Sequence, residues 1–364
     1  MSALETINFT RGVPANESFP IAELAECAAT VLAQGSAEAV LQYGPAAGLA
    51  PLRTWLAEWQ HVKPEQVLTG NGSLELVQFL CTALIKPGEV VFTESPSYDR
   101  AINLFRRNGA NVIGVPLQAD GPDLEALEKL LAQYKPKLFY VIPDFQNPSG
   151  ATCSGAKRRR LVELAEKHDL LLLEDAPYRM LRYRGVQEPT LFELAPHRVL
   201  HMSSFTKLIA PGVRLGFMIG DAATLAKIGK VAEDTYISPG YFAHGVTYEW
   251  CRRGLLFPQI ERLKALYAPR LDACLAALDK YIPDAVATRP DGGFFLSLTL
   301  PEGVLTTDLR AAAAKRNMNL ADGLAFFPQG GGERFLRLPF CALTAAQIEE
   351  GIRRLAECVK DVRK

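Results

Sequence analysis

Two apolar stretches, KLFYVI at residues 137–142 and LLLLE at residues 170–174, decide the fold class of this chain. Neither shows the alternation of apolar and polar residues that marks a strand with one face in water. A helical pattern over about residues 157–168 separates them. Strands that are apolar on both faces need cover on both faces, which helices on either side of a parallel sheet supply. The sequence therefore predicts an α/β protein with a mainly parallel, doubly wound sheet.

The alternation of strand and helix extends outward from these stretches in both directions. It spans residues 48–258, which we predict to be one large domain. The further elements predicted there are strands at Val67–Thr69, Val90–Thr93, Arg198–Met202 and Leu215–Ile219 and a helix at Ser73–Ile85.

Beyond residue 258 the pattern changes to long helices with a few separated strands. We predict that residues 259–364, a linker helix followed by a C-terminal segment, form a smaller α+β domain. Residues 1–47, an N-terminal arm and helix, are expected to belong to that domain. Its predicted elements are helices at Phe257–Tyr281, Thr307–Arg316 and Ala345–Val359 and strands at Phe294–Leu298 and Phe335–Leu338.

Composition excludes several classes of protein. The 40 basic and 40 acidic residues cancel, which argues against a general nucleic-acid or membrane-surface binder. The seven cysteines are scattered and include no C-x-x-C pair, and the five histidines lack metal-ligand spacing, so we predict no disulfide framework and no metal. Met1 to Arg11 lacks the apolar core of a signal peptide, and no apolar run is long enough to span a membrane. We expect a soluble, cytoplasmic protein.

Polar residues follow the predicted strands at the points where these end. Asn147 begins an Asn-Pro-Ser-Gly turn after one strand, and Asp175 and Tyr178 follow the next. Lys207 follows a third strand, with Arg214 seven residues beyond it. Because an open α/β sheet binds ligands at the carboxyl ends of its strands, we expect these side chains to share one site.

This set of side chains matches what a pyridoxal phosphate site requires. The cofactor needs a lysine that forms an imine with its aldehyde and a carboxylate that keeps its ring nitrogen protonated. It also needs donors to the ring oxygen, and a helix N-terminus with an arginine for its phosphate. The turn Gly70-Asn71-Gly72-Ser73 opens a predicted helix and supplies that N-terminus.

Over essentially its whole length the sequence resembles the fold-type I, pyridoxal-phosphate-dependent aminotransferases of class I/II. Within these it is most similar to the 2-aminoadipate/kynurenine aminotransferase branch, which is related to the effector domain of MocR-type regulators. The order and spacing of the matching stretches carry the resemblance. They are LQYGPAAGLAPLR (41–53), TGNGSLELVQF (69–79), ESPSYDRA (94–101), FYVIPDFQNPSGAT (139–152), LLEDAPYRMLRYRG (172–185), SSFTKLIAPGVRLGF (203–217), PDGGFFLSL (290–298) and RFLRLPF (334–340).

The resemblance implies a role for each residue around the cofactor ring. Lys207 would be the Schiff-base lysine, and Asp175 would pair with the pyridinium nitrogen. Asn147 and Tyr178 would hydrogen-bond the ring oxygen, and Tyr98 would stack on the ring. The remaining cofactor contacts would be made to the phosphate, by Gly72, Ser73, Leu74, Ser204 and Arg214.

The resemblance also implies how substrate and subunits meet. Arg337 would bind the substrate α-carboxylate through two parallel hydrogen bonds, with Asn147 beside it. Tyr43 would reach the phosphate from the partner subunit, which implies a homodimer with shared active sites. Arg11, in the N-terminal arm, is a candidate for binding an acidic substrate side chain. The implied reaction is ping-pong transfer of an amino group between an L-amino acid, acidic, aminoadipate-like or aromatic, and a 2-oxo acid such as 2-oxoglutarate.

Alternative interpretations stay open for the individual residues and for the reaction. Lys207 alone could be a solvated lysine, Asp175 a helix cap or turn residue, and Arg11 an exposed residue of a mobile arm. The run Arg158-Arg159-Arg160 is expected to be a solvated helix start. Other fold-type I enzymes, such as β-lyases, decarboxylases and amino-acid oxidases, use the same lysine and aspartate. A MocR-like ligand-binding module is disfavoured, since the resemblance begins near residue 8 and leaves no room for a preceding DNA-binding domain.

Overall fold

Strands and helices alternate along most of the chain in the computed structural model, which describes residues 5–33 and 37–363. The described strands are β1 (Ile7–Phe9), β2 (Val67–Gly70), β3 (Val90–Ser95), β4 (Asn111–Gln118), β5 (Gly121–Pro122), β6 (Leu138–Val141), β7 (Leu171–Asp175), β8 (Val199–Ser204), β9 (Gly216–Ile219), β10 (Val286–Ala287), β11 (Phe295–Thr299), β12 (Met318–Leu320) and β13 (Phe335–Pro339).

The helices between them cover both faces of the largest sheet. The described α-helices are α1 (Ile21–Ala33), α2 (Ala37–Leu41), α3 (Ala50–Trp59), α4 (Ser73–Leu84), α5 (Asp99–Arg107), α6 (Leu124–Gln133), α7 (Gly155–Lys167), α8 (Leu191–Leu194), α9 (Ala222–Tyr236), α10 (Tyr241–Arg252), α11 (Leu256–Tyr281), α12 (Thr306–Ala314) and α13 (Ala345–Val362).

The large sheet has the strand order β2-β9-β8-β7-β6-β3-β4-β5. Its central strands, from β4 through β3, β6 and β7 to β8, are parallel. β9 runs antiparallel to both of its neighbours, β2 and β8, and β5 runs antiparallel to β4. The predicted fold class, α/β with a mainly parallel sheet, is confirmed.

Successive residues of the central strands are buried on opposite faces of the large sheet. On β6, Phe139 and Val141 join one apolar cluster, whereas Leu138 and Tyr140 join the other. Because side chains alternate across a strand, a continuous apolar run fills both clusters at once. This explains why the stretch at residues 137–142 lacks an alternating pattern.

Smaller sheets lie beyond the large one in the chain. β10, β11 and β13 form an antiparallel sheet, and β1 pairs in parallel with β12, so the N-terminal arm meets the C-terminal segment. The helices α11 and α13 pack against each other, whereas α1 packs on α10. The domain boundaries at residues 47 and 258 stay a prediction, and residues 1–4, 34–36 and 364 of those domains lie outside the described residues.

Among the residues that the structure describes, no helix combines the length and the apolar character needed to cross a lipid bilayer.

Candidate active site

A cavity of about 610 Å³ opens at the carboxyl ends of the parallel strands. Every site residue predicted from the sequence lines it, with the exception of Tyr43. The lining residues that had been predicted are Arg11, Gly72, Ser73, Leu74, Tyr98, Asn147, Asp175, Tyr178, Ser204, Lys207, Arg214 and Arg337.

Asp175, the last residue of β7, places a buried carboxyl group in this cavity. Its Oδ2 accepts a hydrogen bond of 2.7 Å from the hydroxyl of Tyr140 on the neighbouring strand β6. Its Oδ1 is buried and has no hydrogen-bond partner among the described residues. Burial raises the pKa of Asp175 to about 7, although the hydrogen bond from Tyr140 acts in the opposite direction. A cationic or donor group of a ligand would restore the missing partner.

Lys207 lies in the turn that follows β8. In the large sheet β8 is the neighbour of β7, the strand that ends in Asp175. Its Nζ donates a hydrogen bond of 2.9 Å to the carbonyl of Gly12 and lies 5.3 Å from the ring centre of Phe294. Burial lowers the pKa of Lys207 to about 8, because an ammonium group loses solvation in these surroundings. Roughly a tenth of such amines are neutral at pH 7, so this lysine can act as a nucleophile or base.

Arg337, on β13, extends from the small antiparallel sheet into the same cavity. Its guanidinium donates to Asn147 Oδ1 over 2.8 Å and to the carbonyl of Thr10 over 2.7 Å. The guanidinium carbon lies 4.7 Å from the ring centres of both Phe295 and Phe326, which hold it in place. The Nε of Arg337 has no partner among the described residues, so the arginine retains donor capacity for a carboxylate.

The N-terminus of α4 and Arg214 form a second part of the cavity. Gly72 precedes the helix with φ +108°, in the left-handed region that favours glycine. A Cβ there would lie 2.5 Å from Arg214, whose guanidinium donates to the carbonyl of Asn71 over 2.9 Å. The first backbone N–H groups of a helix have no partner within it, so Ser73 and Leu74 present donors beside a cation. The arrangement suits a phosphate group.

Three further predicted residues complete the walls of the cavity. Tyr178 is buried with its ring centre 5.6 Å from those of Phe294 and Phe295. Tyr98 stands directly before α5, and burial raises its pKa to about 12. The Oγ of Ser204 accepts a hydrogen bond from the backbone N–H of Thr206 at 3.1 Å. Burial also raises the pKa of Tyr178, so both tyrosines are neutral at physiological pH and can donate hydrogen bonds.

Arg11 and Tyr43 differ in position from the other predicted residues. Arg11 is exposed at the cavity, and no carboxylate within residues 5–33 and 37–363 forms an ion pair with it. Tyr43 follows α2 with 72% of its surface exposed and does not contribute to the cavity of its own chain. The role predicted for Tyr43 depends on a partner subunit and stays a prediction.

With this geometry established, comparison with known proteins identifies the family. The family described as aspartate amino-transferase matches residues 3–363. The chain belongs to this family. The resemblance stated from the sequence motifs is thereby confirmed.

Two relatives of known name match nearly the whole chain. The 2-aminoadipate transaminase of Thermus thermophilus is 36% identical over 97% of this chain and 90% of its own length. Aromatic-amino-acid aminotransferase 1 of Thermococcus litoralis is 33% identical over 99% of this chain and 89% of its own length.

A solved structure shows the same fold. The α-aminoadipate aminotransferase LysN from Thermus thermophilus, complexed with N-(5'-phosphopyridoxyl)-L-leucine, superposes with a TM-score of 0.94 at 35% identity. The match covers 98% of this chain and 92% of LysN.

Sequence reasoning missed the contact made by Tyr140, the burial of Arg158 and several further residues that line the cavity. Tyr140 lies inside a predicted strand, but its bond to Asp175 depends on strand pairing that the sequence does not reveal. Arg158 was expected to be solvated, which is wrong: it is fully buried and paired with Asp144 at 2.8 Å. The sequence around Arg158 carries no local signal for this burial, because its partner Asp144 is 14 residues away along the chain. The further cavity-lining residues that were missed include Thr206, Arg100, Arg310 and Asp322.

Proposed function

We propose that this protein is a pyridoxal-phosphate-dependent aminotransferase that moves an amino group between an L-amino acid and a 2-oxo acid. One observation carries the proposal: the buried Oδ1 of Asp175 lacks a partner within residues 5–33 and 37–363, in a cavity that also holds Lys207 and Arg337. The family and the ligand named in the LysN structure support the same cofactor.

The residues present fit pyridoxal phosphate. A protonated pyridine nitrogen would give Asp175 Oδ1 the cationic partner that it lacks, and would favour ionisation of a carboxyl group whose pKa burial raises to about 7. The start of α4 with Arg214 suits the phosphate, and Lys207 suits the aldehyde. Asn147 and Tyr178 are the proposed donors to the ring oxygen, and Tyr98 is proposed to stack on the ring. Ser204 is proposed to contact the phosphate.

Bound pyridoxal phosphate supplies an aldehyde for amines and a cationic ring that accepts the electron pair released at the substrate α-carbon. The chain's own residues do the remaining work. Asp175 keeps the ring cationic. Lys207 would accept a proton at its Nζ and return it, which its lowered pKa of about 8 favours near neutral pH. The guanidinium of Arg337 binds and orients the substrate carboxylate.

The proposed amino donors are acidic, aminoadipate-like or aromatic amino acids, with 2-oxoglutarate as an acceptor. The names of the two relatives support these classes. Arg11 is the residue proposed to contact an acidic side chain, since it lines the cavity and has no ion-pair partner in the described parts of the chain. An aromatic amino donor would require Arg11 to move aside or to stack its guanidinium on the aromatic ring of that donor.

A homodimer is part of the proposal, with Tyr43 reaching the partner's phosphate site. Tyr43 is 72% exposed and stands near other exposed apolar side chains of the same segment, such as Leu41. Sedimentation should show a dimer, and Tyr43→Phe should weaken cofactor binding. A fully active monomer would exclude this role.

The free state of all seven cysteines supports a cytoplasmic location. We retain the domain boundaries at residues 47 and 258 as part of the proposal.

A panel of amino donors tested against 2-oxoglutarate and pyruvate distinguishes the proposed reaction from other reactions of the same cofactor. A transaminase requires the oxo-acid acceptor and releases no ammonia, whereas a β-lyase, decarboxylase or oxidase turns over without the acceptor. The Lys207→Ala variant is the control, and its rate should fall by about 10⁴-fold or more. Multiple turnovers by that variant at the wild-type rate would refute the mechanism.

A further inference from the structure

A buried charged cluster lies outside the cavity, behind the loops that carry Asn147 and Tyr178. Its centre is Asp144, whose side chain has no solvent exposure. Arg158, on α7, is equally buried and donates to both carboxylate oxygens of Asp144, at 2.8 and 3.3 Å. Neither residue lines the cavity. Removing two charges from water is costly, so an ion pair at this depth calls for an explanation beyond stability.

Arg158 closes the base of the loop that carries Asn147. Its Nε donates to the carbonyl of Cys153 at 2.9 Å, and its guanidinium also donates to the carbonyl of Pro143 at 2.9 Å. These two carbonyls lie at opposite ends of the loop. The backbone N–H of Cys153 also donates to the carbonyl of Pro143 at 2.8 Å. The planar guanidinium, with its fixed donor directions, joins this backbone bond to the buried Asp144, which the point charge of a lysine could not do.

Asp144 also binds the loop that carries Tyr178. Arg179, the next residue along the chain, donates to Asp144 Oδ2 at 3.3 Å and to the carbonyl of Glu188 at 2.6 Å. One carboxylate therefore connects the loop after β6 with the loop after β7. These loops carry the two side chains proposed as donors to the cofactor ring oxygen.

We propose that Asp144 and Arg158 are positioning residues, which set the placement of Asn147 relative to Tyr178 and so the hydrogen bonding to the cofactor ring oxygen. This inference rests on the proposed function and adds residues that do not touch the ligand. Donors to the ring oxygen stabilise its anionic form. Misplaced donors should therefore raise the pH at which the visible absorption of bound pyridoxal phosphate changes.

The test compares Arg158→Lys and Asp144→Asn with Arg159→Lys, a change at the exposed neighbour on the same helix. For each purified holoenzyme, we would measure the pH midpoint of the cofactor absorption band, kcat and KM, and the thermal unfolding midpoint. We expect the two buried variants to raise the spectral midpoint by about 1 unit, the equivalent of one lost hydrogen bond. Their kcat/KM should fall about 100-fold. Arg159→Lys should match the wild type.

Folded buried variants with the spectral midpoint of Arg159→Lys would overturn the inference. Should both buried variants fail to fold, Arg179→Lys provides the test. The Arg179 side chain is partly exposed and only one of its contacts is to Asp144, so we expect this variant to fold. A raised midpoint in that variant supports positioning, and an unchanged one overturns it. Failure of the wild type to bind pyridoxal phosphate would instead refute the proposed function.

Discussion

Adjacent residues on β7, Glu174 and Asp175, present the same functional group to opposite faces of the sheet and differ in how it is satisfied. Glu174 lies 2.9 Å from His201 Nδ1 and accepts from the backbone N–H groups of Leu191 and Phe192. Burial alone would raise the pKa of Glu174, but the hydrogen bond and charge of His201 lower it below its ordinary value. In the described parts of the chain the side chain of Asp175 has one hydrogen bond, from Tyr140, and burial raises its pKa.

The difference separates polar groups that stabilise the fold from those available to a ligand. A buried carboxylate whose hydrogen bonds are all made increases the free energy of unfolding. A buried carboxylate that lacks a hydrogen-bond partner decreases it. Arg337 resembles Asp175 in this respect, since its Nε also lacks a partner among the described residues. We therefore expect mutations on the Glu174 face to affect stability and mutations on the Asp175 face to affect activity.

Asp175→Asn should give the largest effect and tests the functional side of the comparison. The variant keeps an oxygen that can accept from Tyr140 but loses the charge that is proposed to hold the cofactor ring cationic. We expect kcat/KM to fall about 10³-fold, with no loss of thermal stability. Steady-state kinetics and calorimetry on the same preparation measure both. A variant that retains wild-type kcat/KM would show that this carboxylate has no part in the reaction.

The pH dependence of stability should show the cost of leaving Asp175 without a partner. In protein freed of cofactor its pKa is raised from 3.8 to about 7, so between these values the folded state binds the proton more tightly than the unfolded state. Stability contributed by this group therefore falls as pH rises from about 4 to 7, by at most about 4 kcal/mol. Urea denaturation across this range should give a smaller fall for Asp175→Asn. Identical pH dependence in variant and wild type would contradict the assignment.

Glu174→Gln should have the opposite pattern to Asp175→Asn. It replaces the carboxylate that lies 2.9 Å from His201 Nδ1 and turns an amide toward the backbone N–H groups of Leu191 and Phe192. Leaving a buried donor without its acceptor costs about 1–3 kcal/mol. Denaturation should show this loss, while kcat/KM per folded molecule should stay within about threefold of the wild type. A large kinetic loss without destabilisation would remove the distinction between the two faces.

Arg11→Ala should give the smallest effect and sharpens the comparison at the exposed edge of the cavity. Losing one hydrogen bond to a charged group should reduce kcat/KM for acidic donors by about tenfold, and leave aromatic donors less affected. Arg107→Ala is a suitable control, since Arg107 is exposed and outside the cavity. An unchanged preference between acidic and aromatic donors would eliminate the role of Arg11.

The features that sequence could predict are those set by local patterns. The runs at β6 and β7 were predicted because continuous apolar residues are sufficient to define a strand buried on both faces. The strand β4 was missed because Gly114 and Pro116 interrupt its pattern, and such a strand is tolerated only near the edge of a sheet, where β4 lies. The local sequence pattern does not show which strand lies near the edge of the sheet.

Prediction of the candidate site from the sequence is limited in the same way. Strand-end positions were enough to place Asp175, Lys207 and Asn147 in one cavity. The bond from Tyr140 depends on the register between β6 and β7, in which Tyr140 pairs with Leu173. The burial of Arg158 depends on Asp144, 14 residues away along the chain. Contacts of this kind arise from tertiary structure, so the sequence pattern around either residue does not contain them.

The reversed direction of β9 has a consequence for how such proteins are searched. A parallel strand delivers to the cavity the residues downstream of it, but an antiparallel strand delivers those upstream, and Arg214 comes just before β9. The start of β9 also approaches the head of α4 so closely that a Cβ at Gly216 would meet the Ser73 nitrogen at 2.2 Å. In a mixed sheet, ligand-binding residues should therefore be sought after a parallel strand but before an antiparallel one. A small residue at the start of the antiparallel strand, such as Gly216, belongs to the same sequence motif.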